Sequence, residues 1–442
     1  MISNKNNTLG RKSYLFNAVS ALSVFILMQY IYTNIIYVHF GYMGLSLKPT
    51  ESSDFLLNMI FLFTIIVFSQ ILPKNIDSTL SLFLILFFFV IYIPGLSLLT
   101  LIIRLSLIQM ISFYTMSSLS FLILKIFSLN LSRKIIVPTL SIKAYLLFFL
   151  GLLLISFSLI FYYYDFSLSS LISLGNISEL YDIRWRYREQ NTHIPTIAVY
   201  ALTINSKILI PFLLFYGMQK KNKSIIITSF LLQFLLFMIT GQKSLFLGWL
   251  YVYGFCKLIE HQKTLRTQKL IQLILFLFVL SLFLFNIGFD ILLNIVLRRI
   301  FFYPGILATY YLDFFSNHPV TYLSHSILSS FIDNIYHKDP PFIIGEYYFS
   351  REEMSANANY LVSSFADFSY AGMLVYTFIL ASFLKLIDMT IVFKDNPKLL
   401  SLFLLPLWAL LDSSLTTVFL THGLAFGFIL IVICPIHKLF KC

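Results

Sequence analysis

Long charge-free apolar runs, separated by short polar and basic segments, organise the whole chain. Nine of them approach or exceed the ~20 residues with which an α-helix crosses a bilayer: Tyr14–Val38, Phe55–Pro73, Ser78–Ile103, Leu105–Leu124, Ala144–Tyr164, Ser224–Gln242, Leu270–Phe289, Phe368–Leu384 and Ser413–Ile436. Three further segments complete the set. Pro195–Gly217 is long enough but carries Lys207; Ser244–Ile259 is short, and its Lys257 has to snorkel to the surface; Leu399–Leu411 is short and ends at Asp412. The runs do not alternate apolar with polar positions, which excludes the ~10-residue strands of a membrane β-barrel. The pattern predicts an all-α polytopic membrane protein, a single membrane domain over residues 1–442 with about twelve helices.

Composition agrees: 59% of residues are hydrophobic and 11% charged, with a mean hydropathy of +0.86. Soluble domains are ~45–50% apolar and ~25% charged, so a water-soluble globule is excluded, as are disorder and a disulfide scaffold. Cys256, Cys434 and Cys442 lie in or beside apolar segments without zinc spacing, so neither a disulfide frame nor a metal site is indicated. The first run is too long for a signal-peptide core, and no small-residue cleavage site follows it, so it is expected to remain as helix 1.

Charge sets the orientation. Lys5, Arg11 and Lys12 precede helix 1, which places the N-terminus in the cytoplasm by the positive-inside rule. Alternating from there, the inside segments hold 20 of the 31 basic residues against Asp77, Glu260, Asp388 and Asp395, and both termini are cytoplasmic. The net charge of +12 is thereby explained by topology, with no nucleic acid partner.

No internal repeat is visible, which disfavours the repeat-built transporter folds. Two outside segments are long enough for chemistry, Asp165–Ile194 and Asp290–Tyr360. The first contains Tyr181-Asp182-Ile183-Arg184-Trp185-Arg186-Tyr187-Arg188-Glu189-Gln190, three arginines interleaved with aromatics on the side that should be poor in basic residues. Close arginines are best tolerated around an anion, and their forks match phosphate oxygens. Trp185 and Tyr187 suit sugar faces or the lipid interface; the plainer alternative is an interfacial loop whose arginines pair with Asp182 and Glu189.

The second outside segment opens with Arg298-Arg299, cations that either snorkel or bind an anion. His318, His325, Asp333, His337 and Asp339 follow without metal-ligand spacing. Thr240-Gly241-Gln242-Lys243-Ser244 forms a tight outside turn in which a helix N-terminus and Lys243 make a small phosphate-binding constellation. Asn357 and Asn359 lead towards Asp367 at the mouth of helix 10. They either hold sugar hydroxyls, with Asp367 as a base, or cap the helix.

This assembly resembles the O-antigen polymerases, the oligosaccharide repeat-unit polymerases related to the O-antigen ligases. The resemblance covers the whole chain: a dozen helices, two enlarged outside loops with arginines, a turn like the family's Thr-Gly-Ser-Arg after the first loop, and an asparagine-rich approach to a late helix with Gly372. Lys243 after Gln242 departs from the family's arginine, and no ligase-type histidine motif stands in the second loop, which favours polymerase over ligase. The resemblance implies a bacterial inner-membrane glycosyltransferase that joins undecaprenyl-diphosphate-linked oligosaccharides in the periplasm, without a cofactor and alongside a chain-length regulator. Arg184, Arg186, Arg188, Lys243, Arg298 and Arg299 would bind the diphosphate. Trp185, Tyr187, Asn357 and Asn359 would bind sugar, and Asp367, Asp182 or Glu189 would be the base. A flippase for the same lipid-linked unit is the principal rival; it would be expected to carry its cations within the helices and to have short loops.

Overall fold

The computed structural model describes residues 2–49, 51–129, 135–165, 177–262, 265–326, 329 and 331–439. Ten of its helices are long and apolar enough to cross a membrane: Ser13–Met43, Ser52–Gln70, Thr79–Leu99, Leu107–Ser128, Ile142–Tyr163, Thr196–Gln219, Lys223–Thr240, Thr267–Asn286, Tyr360–Phe393 and Leu415–Ile433. Inside hydrocarbon no water satisfies the main chain, so uninterrupted apolar runs close their own hydrogen bonds as helices. The two segments that looked short in the sequence are helical too, as Lys243–Gln262 and the shorter Pro397–Ala409. The strands among the described residues are two residues each, Asn75–Ile76 antiparallel to Leu265–Arg266.

The chain divides into two compact units. One comprises Met1–Asn130, Leu265–Lys385 and Leu410–Thr416; the other comprises Leu131–Thr264, Leu386–Ala409 and Thr417–Cys442. In the first, Thr79–Leu99 is buried along its whole length. Its aromatic side chains join those of neighbouring helices, with Phe68 stacked on Phe121 at 4.6 Å and on Tyr92 at 5.6 Å. The stretch Asp290–Tyr360, expected as a loop, is largely helical instead: Leu293–Phe302, wound as π turns, runs straight into Tyr303–Asn317, and every residue from Pro304 to Leu312 is buried. Arg298-Arg299 and Pro304 interrupt the hydropathy there, yet proline is at home in a helix's first turn. Gly305 makes this packing possible, because a Cβ there would collide with the Pro94 carbonyl oxygen. Pro340–Phe349 is a further short helix in the same stretch.

In the second unit, Lys223–Thr240 and Lys243–Gln262 form a hairpin held by polar side chains. Trp249 Nε1 donates to Ser229 Oγ (3.0 Å) and Gln233 Nε2 to the Leu245 carbonyl (2.9 Å). The hairpin turns at Gly241, whose left-handed φ of 62° ends the first helix. Of the expected loop 165–194, residues 166–176 lie outside the described residues; the rest is chiefly the helix Ile177–His193.

Candidate functional site

Ile177–His193 carries the arginine cluster, and its apolar face fixes how the helix sits. Ile183 is buried against Phe237, and Tyr187 is buried and stacked on Tyr164 at 5.7 Å. Burial pushes the Tyr187 hydroxyl above the ordinary phenol range, against the opposing pull of its hydrogen bonds with Asn191 and Tyr164. Beside this face Arg184 Nε donates to the Gly241 carbonyl (2.9 Å), which joins the arginine helix to the turn that precedes Lys243. Arg188, one turn further on, lies on the same flank as Arg184 and is exposed. Arg186 is roughly 200° around the axis from either, on the flank of Asp182 and Glu189. Asp182, Arg186, Arg188 and Glu189 are all exposed, and among the described residues neither Arg186 nor Arg188 makes an ion pair. Arg186 and Glu189 line a shallow, open depression with Tyr163, Gln190, His193 and Ile194, while Trp185 is 53% exposed. Lys243 is the first residue of its helix, where main-chain amides are free.

In the other unit Arg298 and Arg299 sit on the π-wound segment Leu293–Phe302, which buries Leu293, Leu297 and Phe301. Arg299 is exposed and Arg298 half-buried. The Arg298 guanidinium lies over the Phe40 ring at 4.3 Å, and Nη1 points at Met43 Sδ (3.0 Å). Its Nε is buried without a hydrogen-bond partner among the described residues.

Asp367 belongs to this same unit, in Tyr360–Phe393. That helix is interrupted directly after it, at Phe368 (φ −142°, ψ 25°) and Ser369 (φ 55°, ψ −151°). The break frees carbonyl oxygens, and a distant turn takes them: Thr321 N donates to Ala366 O (2.9 Å) and Tyr322 N to Asp367 O (3.1 Å). The carboxylate is 2% exposed and accepts from Thr321 Oγ1 (2.7 Å) and Tyr376 OH (2.9 Å), with His325 Nε2 3.8 Å from Oδ1. Tyr322 (φ 49°) and Leu323 (φ 63°) are left-handed, as is Ser369. Such backbone costs of order 1–3 kcal/mol per residue and collects at functional sites.

The remaining candidates are placed more plainly. Asn359 is buried and its Oδ1 accepts from Leu361 N and Val362 N (both 3.1 Å), a helix cap; Asn357 is exposed and accepts from Ser355 Oγ (2.9 Å). His318 stacks on Phe314 at 4.2 Å, Asp339 opens Pro340–Phe349, and Asp333 and His337 are exposed. Among the described residues no group of three His, Cys, Asp or Glu stands close enough to hold a metal ion. Sequence reasoning did not see Thr321, His325 and Tyr376 as a group, since no spacing connects them to Asp367.

Ten apolar helices define a membrane-embedded, polytopic helical protein. No family model, no curated protein and no solved structure matches the chain, so the functional reading rests on its own residues.

Proposed function

We propose that the chain is a lipid-linked glycan polymerase. It moves a growing glycan from undecaprenyl diphosphate onto a sugar hydroxyl of a lipid-linked repeat unit, at the periplasmic face of the inner membrane. The observation that carries this reading is the arginine helix Ile177–His193: Ile183, Tyr187 and the Arg184–Gly241 contact anchor it, and Arg186 and Arg188 stand outside any described ion pair. Breaking a sugar–phosphate bond releases an anionic diphosphate. Guanidinium groups carried on an anchored helix lower that barrier because they face the charge as it develops. The charge bias of the loops supports twelve helices with both termini cytoplasmic, which puts this helix, Lys243 and Arg298-Arg299 on the periplasmic side.

Export of the same lipid-linked unit is the second reading. It is favoured by Lys207 within Thr196–Gln219 and by His422, in Leu415–Ile433, within electrostatic reach of it. One experiment tests both: deletion of the gene and display of the cell's lipopolysaccharide. A polymerase mutant caps its lipopolysaccharide with a single repeat unit. Loss of even that unit sinks the polymerase and leaves the transporter or a ligase.

A further inference from the structure

We propose that His325 is the base that takes the proton of the acceptor sugar hydroxyl, and that Asp367 acts through it as a positioning residue; this rests on the polymerase reading above. Burial separates the two roles. Asp367 is 2% exposed, and both its oxygens already accept hydrogen bonds, from Thr321 and Tyr376, so a substrate hydroxyl reaches it only by dismantling the turn. The His325 side chain keeps 17% of its surface. Among the described residues its Nδ1 is covered and without a hydrogen-bond partner, so Nε2 is the nitrogen open to a substrate. Nε2 lies 3.8 Å from Asp367 Oδ1, beyond hydrogen-bond reach but close enough for the carboxylate to stabilise an imidazolium. The left-handed residues Tyr322 and Leu323, and the main-chain bonds from Thr321 and Tyr322 to the broken helix, hold the histidine there.

In the step, the acceptor oxygen bonds to the anomeric carbon of the donor glycan as its proton passes to Nε2. The bond from that carbon to the diphosphate oxygen breaks, and its electron pair leaves with undecaprenyl diphosphate. The imidazolium then gives its proton to solvent.

The test uses the purified full-length chain in lipid nanodiscs, supplied with undecaprenyl-diphosphate-linked repeat units. His325→Ala and His325→Gln each lose ~10²–10⁴-fold in polymer formation, the range of general-base catalysis. Added imidazoles restore His325→Ala in order of their basicity, whereas pyrrole, of the same shape without the basic nitrogen, restores nothing. Asp367→Asn is slowed as well and no imidazole restores it. Activity of both His325 variants within threefold of wild type, or equal rescue by pyrrole, overturns the assignment and leaves the polymerase standing. A wild-type chain that makes no polymer overturns the polymerase reading and this base with it.

Discussion

Cations at two kinds of place in this molecule are used differently. Lys385 Nζ donates to the carbonyls of Phe127 (2.9 Å) and Leu129 (2.7 Å) at the end of Leu107–Ser128. In the other unit Lys394, 1% exposed, donates to Val432 O (3.0 Å) and Cys434 O (2.8 Å) at the end of Leu424–Ile433. Both lysines satisfy carbonyls that a helix end leaves orphaned and sit where the helix dipole favours a cation. Arg186 and Arg188 lie exposed on a helix anchored by other side chains, and among the described residues they form no ion pair. The lysines have main-chain partners, so their charge is spent on the fold. On the proposed reading, the two arginines keep theirs for the diphosphate.

The difference is broken most directly at the arginines. The double variant Arg186→Ala/Arg188→Ala is expected to lose on the order of 10²-fold or more in polymer formation, the loss typical of a removed oxyanion donor. Its unfolding free energy should stay within ~0.5 kcal/mol of wild type, because exposed side chains away from special contacts carry little stability. Replacing both by lysine should already impair turnover, since a point charge lacks the guanidinium fork. Polymer assays and denaturant titrations on the same preparations decide it. Full activity in both doubles would make these arginines interface anchors.

The lysines invert the expectation. Lys394→Met should cost about 2 kcal/mol of stability, the range for hydrogen bonds that involve a charged group, with turnover per folded molecule unchanged. A loss of turnover without a loss of stability would contradict the structural role.

The sequence exposed these regions unequally. Apolar runs marked nearly every long helix, because hydrocarbon leaves a continuous apolar segment no other way to satisfy its main chain. Tyr303–Asn317 escaped, since Arg298, Arg299 and Pro304 break the hydropathy just where a close approach at Gly305 buries the helix. The arginine cluster was legible as a composition, but the buried face of Ile183 and Tyr187, which sends Arg186 to the opposite flank from Arg184 and Arg188, shows only once its neighbours are known. Asp367 was legible as an acid near a helix mouth. Its partners Thr321 and His325 lie 46 and 42 residues upstream in a turn without a spacing signature, and only the non-helical step at Phe368–Ser369 lets that turn reach it.

The smallest expected effect sharpens the comparison from its neutral side. Gln233 Nε2 donates to the Leu245 carbonyl (2.9 Å), a main-chain acceptor like those of Lys394, but the side chain is uncharged and its Oε1 is buried without a hydrogen-bond partner among the described residues. Gln233→Leu therefore removes one interhelical bond, worth ~0.6 kcal/mol on average in a membrane, and at the same time removes an unsatisfied oxygen whose burial is itself unfavourable. The two contributions oppose each other, so the net change should not exceed ~0.6 kcal/mol in either direction, well below that of Lys394→Met. Denaturant unfolding of the two variants side by side checks the ordering. A loss of ~2 kcal/mol at Gln233 would equal the charged bonds of Lys394. In that case the partner carbonyl and its apolar surroundings, rather than the charge, would set what a buried polar side chain contributes here.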